Sequence, residues 1–396
     1  MKNIFEEQSR IVITCNKRLA PFLEQEVVAL GFIPERTFQT GVELKGTMRD
    51  CIRLNLNLRC ASQVHYSLKS FRVDNPNALY RVLVTIPWEK IIPADGYFSV
   101  TSNVNHPTIN NEMFVNVKVK DAIADKFVRE TSKRPNSGPE LNHTVIHLYW
   151  NDDRAEIFID TSGETLAKHG YRKIPGKAPM LEALAAASVM ATKWDKKSPF
   201  INPMCGSGTV AIEAALMATN RMPGLFRKNY AFMHVLGYDE GFYTAEQKKL
   251  QDQVNEVPGL LIVATDIKDD AINISKVNAG VAGVEKLIQF GVGDFELTSV
   301  PEDKAGVVYF NPEYGERLGE EKELEETYAR IGDFMKKQCK GYTGYIFTGN
   351  LELAKKIGLK ASRRIEFYNA KLDCRLLEYE LYSGTRRKEL TVNQIS

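Results

Sequence analysis

The second half of the chain alternates short apolar strands with longer helical segments, and this alternation constrains the fold more than any other feature. Five strand signals follow residue 198, at 199–202, 260–265, 287–292, 306–310 and 343–348. The helical segments between and after them are 207–218, 268–281, 321–338 and 351–358. Strands that alternate with helices in this order predict parallel strands joined by crossover helices, and hence a doubly wound α/β sheet.

Two further strand candidates, 365–370 and 375–383, are joined by a short connection. A connection of that length suits an antiparallel hairpin, because a parallel crossover needs a dozen or more residues. A mostly parallel sheet that ends in an antiparallel pair is the arrangement of class I S-adenosylmethionine-dependent methyltransferases. The predicted fold class is therefore α/β, with a Rossmann-like methyltransferase domain that has an antiparallel terminal hairpin.

The first 160 residues mix strands and helices without regular βαβ order, which predicts a separate α+β module. The predicted elements are strand 10–15, helix 20–30, strand 41–45, a segment 51–71 that starts helical and ends extended, helix 76–90, strand 97–104, helix 117–131, and strands 144–150 and 155–161. The last two strands flank a turn-rich connection and predict a hairpin. Residues 161–180, with several Gly, Pro and Lys, predict a linker that leads into a helix over 179–194 beginning at Pro179.

Length and charge limit the function classes only weakly. A chain of 396 residues predicts two or three domains. The net charge of +2 does not by itself indicate nucleic-acid binding. Two local clusters are basic, 116–134 with six basic against three acidic residues, and Arg386-Arg387-Lys388. Each cluster could meet phosphates or could be a solvated surface.

Location and metal content are predicted from what the chain contains. No apolar run reaches the roughly 18 residues of a membrane-spanning helix, and acidic residues interrupt the N-terminus, unlike a secretory signal. The six cysteines lack C-x-x-C spacing, which predicts reduced thiols in a cytoplasmic protein and no zinc site. His143 and His147 have ligand-like spacing but no third partner, so we expect a surface or packing role and no metal.

A glycine-rich junction occupies residues 202–209, Asn-Pro-Met-Cys-Gly-Ser-Gly-Thr, between a strand and a helix. Glycines let the backbone approach a ligand closely, and the helix N-terminus favours an anionic group. Asp266, followed by Ile267, ends the second strand, where such folds hold ribose hydroxyls. Asp266 lies 60 residues beyond Gly206, and a dinucleotide fingerprint has roughly 20. An insertion over 219–258 accounts for the gap.

The third strand ends in Gly293-Asp294-Phe295. The Asp294 carboxylate could accept a hydrogen bond from an adenine amino group, and the Phe295 ring could pack on the adenine. The alternative is a generic α/β domain in which the acids at strand ends only cap helices. Agreement among three successive junctions favours a nucleoside-containing cofactor.

The fourth strand runs into Asn311-Pro312-Glu313-Tyr314. An exocyclic base amine is a poor nucleophile, because its lone pair is delocalised into the ring. The Asn311 side-chain oxygen and the Pro312 carbonyl could accept from its two hydrogens and draw the nitrogen toward tetrahedral geometry. Tyr314 could stack on the base, a contact worth roughly 1–3 kcal/mol. A sulfonium methyl donor is already reactive, so positioning matters most, and the base must leave its stack.

These segments resemble the THUMP-domain RNA methyltransferases, in particular the bacterial group that methylates guanine N2 of 23S ribosomal RNA. The similarity extends over nearly the whole chain, and its most specific part is the run Asn-Pro-x-Tyr-Gly-Glu-Arg-Leu-Gly at 311–319. The other matching segments are the region around Gly31 and Gly41, DTSGETLAKHGYRK, KAPMLEALAAA, NPMCGSGTVAIEAALMA, ATDI, VGDF and RLLEYELYSG.

The resemblance implies S-adenosyl-L-methionine as cofactor and RNA as partner. The implied cofactor contacts are Asn202, Cys205, Gly206, Gly208, Asp266, Ile267, Asp294 and Phe295. The implied contacts to the target base are Asn311, Pro312 and Tyr314. Some relatives carry a second methyltransferase domain after the first. Because this chain ends shortly after the first, we expect only one activity.

Two positions depart from the family pattern. Asn202 stands where an aspartate is usual, which removes a charge near the cationic end of the cofactor. Glu313 stands where a second proline is usual. It leaves both proposed acceptors in place, relaxes the turn and adds a negative charge beside the base. We expect a working site, and a packing role for the Cys205 thiol rather than a nucleophilic one.

The predicted domains are a ferredoxin-like segment 1–49, a THUMP RNA-binding domain 50–160, a linker 161–180, a methyltransferase domain 181–385 and a tail 386–396. The predicted function is S-adenosylmethionine-dependent methylation of guanine N2 in 23S ribosomal RNA. The alternatives are a transfer-RNA guanine-N2 methyltransferase, a DNA adenine-N6 methyltransferase and a catalytically silent RNA-binding protein of the same fold. The sequence leaves the oligomeric state open.

Overall fold

The computed structural model describes residues 3–109, 111–174, 179–314 and 321–382, which form two compact units. The first unit contains residues 1–173, 180–187 and 216–256, and the second contains 174–179, 188–215 and 257–396. Within the described ranges, no helix combines the length and the apolar character needed to cross a membrane.

The first unit is built on one mixed sheet, whose eight strands among the described residues run in the order β2-β3-β1-β4-β8-β7-β5-β6. The strands are β1 (Ser9–Thr14), β2 (Arg36–Phe38), β3 (Gly41–Gly46), β4 (Gln63–Arg72), β5 (Tyr97–Asn105), β6 (Asn136–Ser137), β7 (Thr144–Asn151) and β8 (Arg154–Asp160). The helices before residue 161 are α1 (Ala20–Ala29), α2 (Met48–Asn57), α3 (Pro76–Leu83) and α4 (Glu112–Thr131). The irregular order of helices and strands confirms the predicted α+β module.

Local sequence signals explain where these helices begin and end. Thr47 and Asp50 form a reciprocal capping box at the start of α2. The predicted helix over 76–90 ends early at Leu83, because Pro87 lacks an amide hydrogen and restricts the residue before it. Helix α4 begins five residues before the predicted 117, since the Asn111 side chain accepts the Met113 amide and caps the helix.

The segment after β8 is packed into the first unit although its composition predicted a linker. Thr161 and Ser162 are fully buried, and His169 and Tyr171 are nearly so. Asn55 on α2 donates to the Thr161 hydroxyl at 2.8 Å and accepts from the Ser162 hydroxyl at 2.7 Å. Gly163 and Gly170 in this segment have positive φ values of 77° and 89°, which permit tight backbone turns.

The predicted insertion also belongs to the first unit. Residues 216–256 cluster with it rather than with the methyltransferase sheet. They form two short 3₁₀ helices, Pro223–Leu225 and Ala231–His234, and helix α7 (Glu240–Asp252). The preceding helices are α5 (Glu182–Ala191), which begins in the first unit and ends in the second, and α6 (Thr209–Ala218). Helix α5 starts three residues after the predicted Pro179, and the amide of Ala183 in its first turn donates to the Ala167 carbonyl.

The second unit contains the predicted doubly wound sheet, in the order β11-β10-β9-β12-β13-β15-β14 for the described residues. Its strands are β9 (Phe200–Pro203), β10 (Ile262–Asp266), β11 (Ile288–Val292), β12 (Val307–Phe310), β13 (Thr343–Thr348), β14 (Arg363–Asn369) and β15 (Leu372–Glu380). Its further helices are α8 (Asp269–Val281), α9 (Glu321–Gln338) and α10 (Leu351–Lys356). Strands β9 to β13 pair in parallel, and β15 pairs antiparallel with β13 and β14. The predicted fold class is confirmed.

One helix contact in the second unit depends on the absence of a side chain. A Cβ placed at Gly332 on α9 would lie 1.9 Å from the carbonyl oxygen of Ile357, the residue after α10. Both helices cover the apolar core that contains Phe310 and Phe334. Glycine costs about 1 kcal/mol relative to alanine in a helix interior. At Gly332 this cost is offset by the close packing of the two helices.

We therefore expect Gly332→Ala to lower the free energy of unfolding of the second unit by about 1–3 kcal/mol, because backbone atoms must separate. Gly280→Ala on α8 is the matched control, since its Cβ would meet only the Glu285 carboxylate tip at 3.3 Å. That variant should be neutral or stabilised by up to about 1 kcal/mol. Urea denaturation measures both, and equal stability of the two variants would contradict the contact.

Candidate functional site

The candidate site lies where the central strands of the second unit separate. Strand β9 pairs with β10 on one side and β12 on the other, so the chain reverses its winding direction at β9. The β9–β12 pairing ends at Ile201 and Val308. One residue further, the Asn202 side-chain amide donates to the Tyr309 carbonyl at 2.8 Å. Ligands of open α/β sheets bind in the crevice beyond such a switch point.

Asn202 is both a structural link and an available acceptor. Its side chain is 1% exposed. Its Oδ1 atom is buried and has no hydrogen-bond partner among the described residues. A buried amide oxygen without a partner costs about 1–3 kcal/mol, and this oxygen could accept from a ligand donor. An ionised aspartate at this position could not donate to the Tyr309 carbonyl.

The loop after β9 is held open by residues in the left-handed backbone region. Met204, Gly206 and Gly208 have φ values of 55°, 56° and 76°. A Cβ on Gly208 would lie 2.9 Å from Ser275 on α8, whereas a Cβ on Gly206 would meet no atom within 4 Å. Ser275 also donates to the Gly206 carbonyl at 2.8 Å. Gly208 therefore serves close packing, and Gly206 faces open space.

Asp266, at the end of β10, links β10 to the loop that follows β9. Its Oδ2 accepts the Gly206 amide at 2.9 Å, and its Oδ1 accepts the Lys268 amide at 3.0 Å. Each carboxylate oxygen keeps a further lone pair, which could accept from a ribose hydroxyl. The next side chain, Ile267, is 66% exposed although it is large and apolar. An exposed isoleucine beside this loop is suited to covering a flat ring.

Asp294, after β11, is held by a basic residue that the sequence analysis did not find. Its Oδ2 accepts from the Arg330 guanidinium at 2.7 Å, and its Oδ1 accepts the Glu296 amide at 2.9 Å. Partial burial opposes ionisation of Asp294, but the Arg330 and Glu296 hydrogen bonds outweigh it and keep the pKa below its ordinary value. Arg330 also bonds the Glu296 carboxylate at 2.7 Å. The carboxylate is therefore charged and fixed near neutral pH.

Phe295 lies in the core. Its side chain is 6% exposed, and its ring packs edge-on against Phe310 at 5.8 Å and Phe334 at 6.0 Å. The Arg330 guanidinium covers the ring at 5.0 Å from the centroid. This burial does not favour the predicted packing of the Phe295 ring on an adenine. Ile267 is the better exposed of the two side chains.

The turn after β12 presents the second orphaned amide oxygen of the sheet edge. The Oδ1 atom of Asn311 is buried without a hydrogen-bond partner among the described residues. Pro312 is buried, and Glu313 is 78% exposed with its carboxylate 3.6 Å from the Lys268 ammonium. Glu313 thus faces solvent.

The Tyr314 ring is held by a hydrogen bond to its hydroxyl and by packing against Gly349. Its hydroxyl accepts from the Asn369 amide at 2.9 Å. A Cβ on Gly349 would lie 3.3 Å from its Cδ2 atom, so the glycine lets the ring approach the end of β13. The half-buried ring therefore has a defined plane against which another ring could stack.

Cys205 has the packing environment that the sequence predicted. Its amide donates to the Thr265 carbonyl at 2.9 Å, which ties the loop to β10. Burial, aided by the nearby Asp266 charge, raises the pKa of the thiol to about 12. A thiol with that pKa is protonated at neutral pH and is a poor nucleophile.

Three residues of this edge were missed by sequence reasoning: Ser275, Arg330 and Asn369. Each lies on an element that the chain reaches only after the residue it supports, and none belongs to a recognisable motif. Residues 315–320, which carry the rest of the Asn-Pro-x-Tyr motif, and Arg386-Arg387-Lys388 lie outside the described residues.

The two histidines with ligand-like spacing occupy different ring clusters of the first unit. The His147 ring stacks on His65 with 4.5 Å between centroids, and burial lowers the pKa of His147 to about 4. His143 instead contacts Tyr97 and His234. In the described ranges, no three His, Cys, Asp or Glu side chains are grouped as metal ligands.

The seven-stranded sheet and its strand-end residues define a class I methyltransferase fold. Three family models match the chain: an RlmL ferredoxin-like domain over 10–65, a THUMP domain over 73–160 and an RMKL-like methyltransferase domain over 169–378. The last covers more than half of the residues, and the chain belongs to the RMKL-like methyltransferase family. The predicted family is confirmed.

Known relatives agree with this assignment. The ribosomal RNA large subunit methyltransferase K/L of Syntrophotalea carbinolica is 33% identical over 380 residues, which are 93% of this chain and 53% of that protein. This chain thus spans about half the length of the curated relatives it matches.

Two solved structures share the fold over almost the whole chain. A Listeria monocytogenes protein, named as a predicted N6-adenine-specific DNA methylase, has 30% identity and a TM-score of 0.85, covering 95% of this chain and 97% of its own. The SMU.472 protein, solved in complex with SAH, has 26% identity and a TM-score of 0.86, covering 97% and 100%.

The Asn202 bond can be tested by removing only its donor. Asn202→Asp should lower the free energy of unfolding by about 1–3 kcal/mol at pH 7, because a buried carboxylate would face the Tyr309 carbonyl. Burial raises the pKa of the introduced carboxyl above its unfolded value, so the loss should shrink as the pH falls through that raised pKa. Chemical denaturation at pH 7 and pH 5 measures both effects.

Asn220→Asp is the matched control for this experiment. Asn220 also donates to a main-chain carbonyl, that of Gln253 at 3.1 Å, but the bond is exposed to solvent. Its loss should be below about 1 kcal/mol and should depend little on pH. Equal losses in the two variants would contradict a special role for Asn202.

Proposed function

We propose that this chain is an S-adenosyl-L-methionine-dependent RNA methyltransferase that modifies an exocyclic base amine, with guanine N2 of 23S ribosomal RNA as the preferred target. The observation that carries the proposal is the buried Oδ1 atom of Asn311, which has no partner among the described residues. It lies at the carboxyl end of β12, beside the switch point. Leaving a polar atom unsatisfied there is costly unless a substrate donor reaches it.

The residues present fit the proposed cofactor. Asp266 has lone pairs for ribose hydroxyls, Ile267 offers an exposed apolar surface, and the Asn202 oxygen could accept from an ammonium group. Gly206 faces open space where a side chain would intrude. When bound, the cofactor supplies an electrophilic methyl group on a sulfonium. The loop and strand ends would hold it in place.

The protein's own contribution is to orient the amine. The Asn311 oxygen and the Pro312 carbonyl would each accept one amine hydrogen, which directs the nitrogen lone pair toward the methyl group. The fixed Tyr314 ring would hold the base plane by stacking. The amine nitrogen would take the methyl group in place of the cofactor's sulfur, and the amine would lose one proton to solvent. Because the site positions the amine before reaction, no strong general base is required.

The departures from the family pattern are compatible with activity. Glu313 removes neither acceptor, and its carboxylate is directed to solvent and Lys268. Asn202 retains an acceptor oxygen while its amide ties β9 to β12. A catalytically silent protein would have no need for two orphaned oxygens at adjacent strand ends.

The RNA partner is supported by the first unit. Its matches to ferredoxin-like and THUMP domains suit RNA binding. The basic helix α4 contributes less than its charge count implied, since Lys126 pairs with Glu130 at 2.8 Å and Arg129 donates to the Val84 carbonyl. The names of the curated relatives favour ribosomal over transfer RNA. A cytoplasmic location remains a prediction from cysteine usage.

Methyl transfer tests the proposal directly. Labelled S-adenosylmethionine is incubated with 23S ribosomal RNA, transfer RNA or DNA isolated from cells lacking the gene, and nucleosides are identified by mass spectrometry. We expect N2-methylguanosine in 23S RNA. Label in transfer RNA or in DNA adenine would establish the corresponding alternative. If wild-type protein binds the cofactor and RNA but transfers no label, the proposal that the chain is an active methyltransferase would be wrong.

Asn311→Ala should reduce methyl transfer by on the order of 100-fold or more, because one of two aligned acceptors is lost. Its melting temperature should be unchanged or higher, since an unsatisfied buried oxygen is removed. Glu313→Ala is the control and should stay within a few-fold of wild type. An active, destabilised Asn311→Ala protein would show that the oxygen has a structural role instead.

Cofactor binding is tested by alanine substitutions at two glycines that both have positive φ values, 56° at Gly206 and 76° at Gly259. A Cβ added at either would meet no atom within 4 Å. Alanine at either should cost about 1–2 kcal/mol of stability. Only Gly206→Ala should weaken S-adenosylmethionine binding, by on the order of 10-fold or more in calorimetry, because its methyl would occupy the cofactor site. Equal affinities would place the cofactor elsewhere.

A further inference from the structure

The first unit contains a cavity of about 360 Å³ that is separate from the methyl-transfer residues. One wall comes from residues within the THUMP match, and the other comes from the insertion after α6. The lining residues are Pro93, Gly96, Tyr97, His143, Thr144, Met233, His234, Val235, Leu236, Gly237 and Tyr238. A volume of this size falls at the lower end of small-ligand sites.

Three rings in a row form one part of the lining. The His143 and His234 ring centroids are 4.7 Å apart, and those of Tyr97 and His143 are 5.2 Å apart. Two aliphatic side chains, Val235 and Leu236, also line the cavity, and Leu236 is 39% exposed. Ring faces beside an apolar wall favour a flat aromatic ligand, since stacking buries both of its faces.

Hydrogen bonds outside the cavity fix the two imidazoles. His143 Nδ1 lies 2.7 Å from the Asn142 side-chain oxygen, and His234 Nε2 lies 2.7 Å from the Asn229 side-chain oxygen. The Asn229 amide in turn donates to the Asn142 carbonyl at 2.8 Å. An amide oxygen only accepts, so these two ring nitrogens carry the hydrogens. In the neutral rings, His143 Nε2 and His234 Nδ1 are acceptors.

The lining contains no Lys, Arg, Asp or Glu. A phosphate would therefore find no cationic partner in the lining. Burial lowers the pKa of His234, with repulsion from a protonated His143 as the smaller cause, and keeps the His234 ring neutral at pH 7. The lining suits a neutral, planar ring that carries N–H donors. Among the components of RNA, only the nucleobases have this chemistry.

We propose that this cavity binds one unpaired nucleobase of the RNA substrate, apart from the base that is methylated. The inference rests on the proposed function, because it assigns the ligand to RNA. It also gives the insertion a role: residues 233–238 supply six of the eleven lining residues, and the insertion clusters with the first unit. Sequence-specific RNA recognition usually splays unstacked bases onto such rings, histidine included.

The experiment compares RNA binding by the full chain with and without the cavity. Leu236→Trp fills the cavity mouth while keeping all three rings. Ile33→Trp is the matched control, an 83% exposed aliphatic residue outside the lining. His143→Ala removes one ring. Fluorescence anisotropy measures the affinity for a labelled single-stranded oligonucleotide and for a duplex of the same sequence, and melting temperatures confirm that each variant is folded.

We expect Leu236→Trp and His143→Ala to weaken single-stranded RNA binding by on the order of 10-fold. Ile33→Trp should bind as wild type, and duplex affinity should not change in any variant. Wild-type affinity for single-stranded RNA in a folded Leu236→Trp protein would overturn the proposal. So would an equal loss for the duplex, because a general electrostatic or folding defect would then explain it.

A free nucleoside could offer the same ring chemistry. Calorimetry with guanosine and adenosine separates the sources. Binding of a nucleoside that Leu236→Trp abolishes, with RNA affinity unchanged, would assign the cavity to a small molecule and overturn the RNA base. Methyl transfer separates the two proposals. RNA binding that depends on the cavity, without methyl transfer, would contradict only the proposed methyltransferase activity. Methyl transfer by Leu236→Trp with an unchanged KM for RNA would contradict only the proposed nucleobase site.

Discussion

The bond from the Asn202 amide to the Tyr309 carbonyl is the interaction on which the candidate site depends. It lies one residue beyond the last backbone pair between β9 and β12. The two strands are thus held together by a side chain where their ladder ends, and the turns that follow can diverge. An amide suits this position because it donates to the carbonyl with one atom and keeps an acceptor on the other. An ionised aspartate at this position would leave that carbonyl without this donor.

Around this link, the polar groups of the sheet edge fall into two kinds. Some are fully engaged with the protein, as Asp266 with the Gly206 amide and Asp294 with Arg330. They set the shape of the loops and keep a defined negative charge in place. Others, the oxygens of Asn202 and Asn311, are buried without a partner among the described residues. The first kind stabilises the fold, and the second is retained at a cost in stability, as expected of the proposed binding surface.

An insertion between two strands of the second unit belongs to the first unit. Residues 216–256 interrupt the α/β alternation in sequence but pack with the mixed sheet. The start of the segment after β8 is buried in the same unit, where the Asn55 side chain bonds to the hydroxyls of Thr161 and Ser162. Both segments build structure from residues far apart in the chain. The ring-lined cavity is one product of that arrangement.

Sequence alone determined the order of strands and helices, the doubly wound sheet, the terminal hairpin and the motif positions at each strand end. These follow from local periodicity, from glycine and proline chemistry and from short connections, which act between near neighbours. Tertiary structure alone decided that Phe295 faces the core, that Arg330 fixes Asp294, and that His143 meets His234. Each of these contacts joins residues far apart in the chain. Whether a strand-end side chain turns inward or outward depends on the packing that surrounds it, and no local pattern encodes that packing.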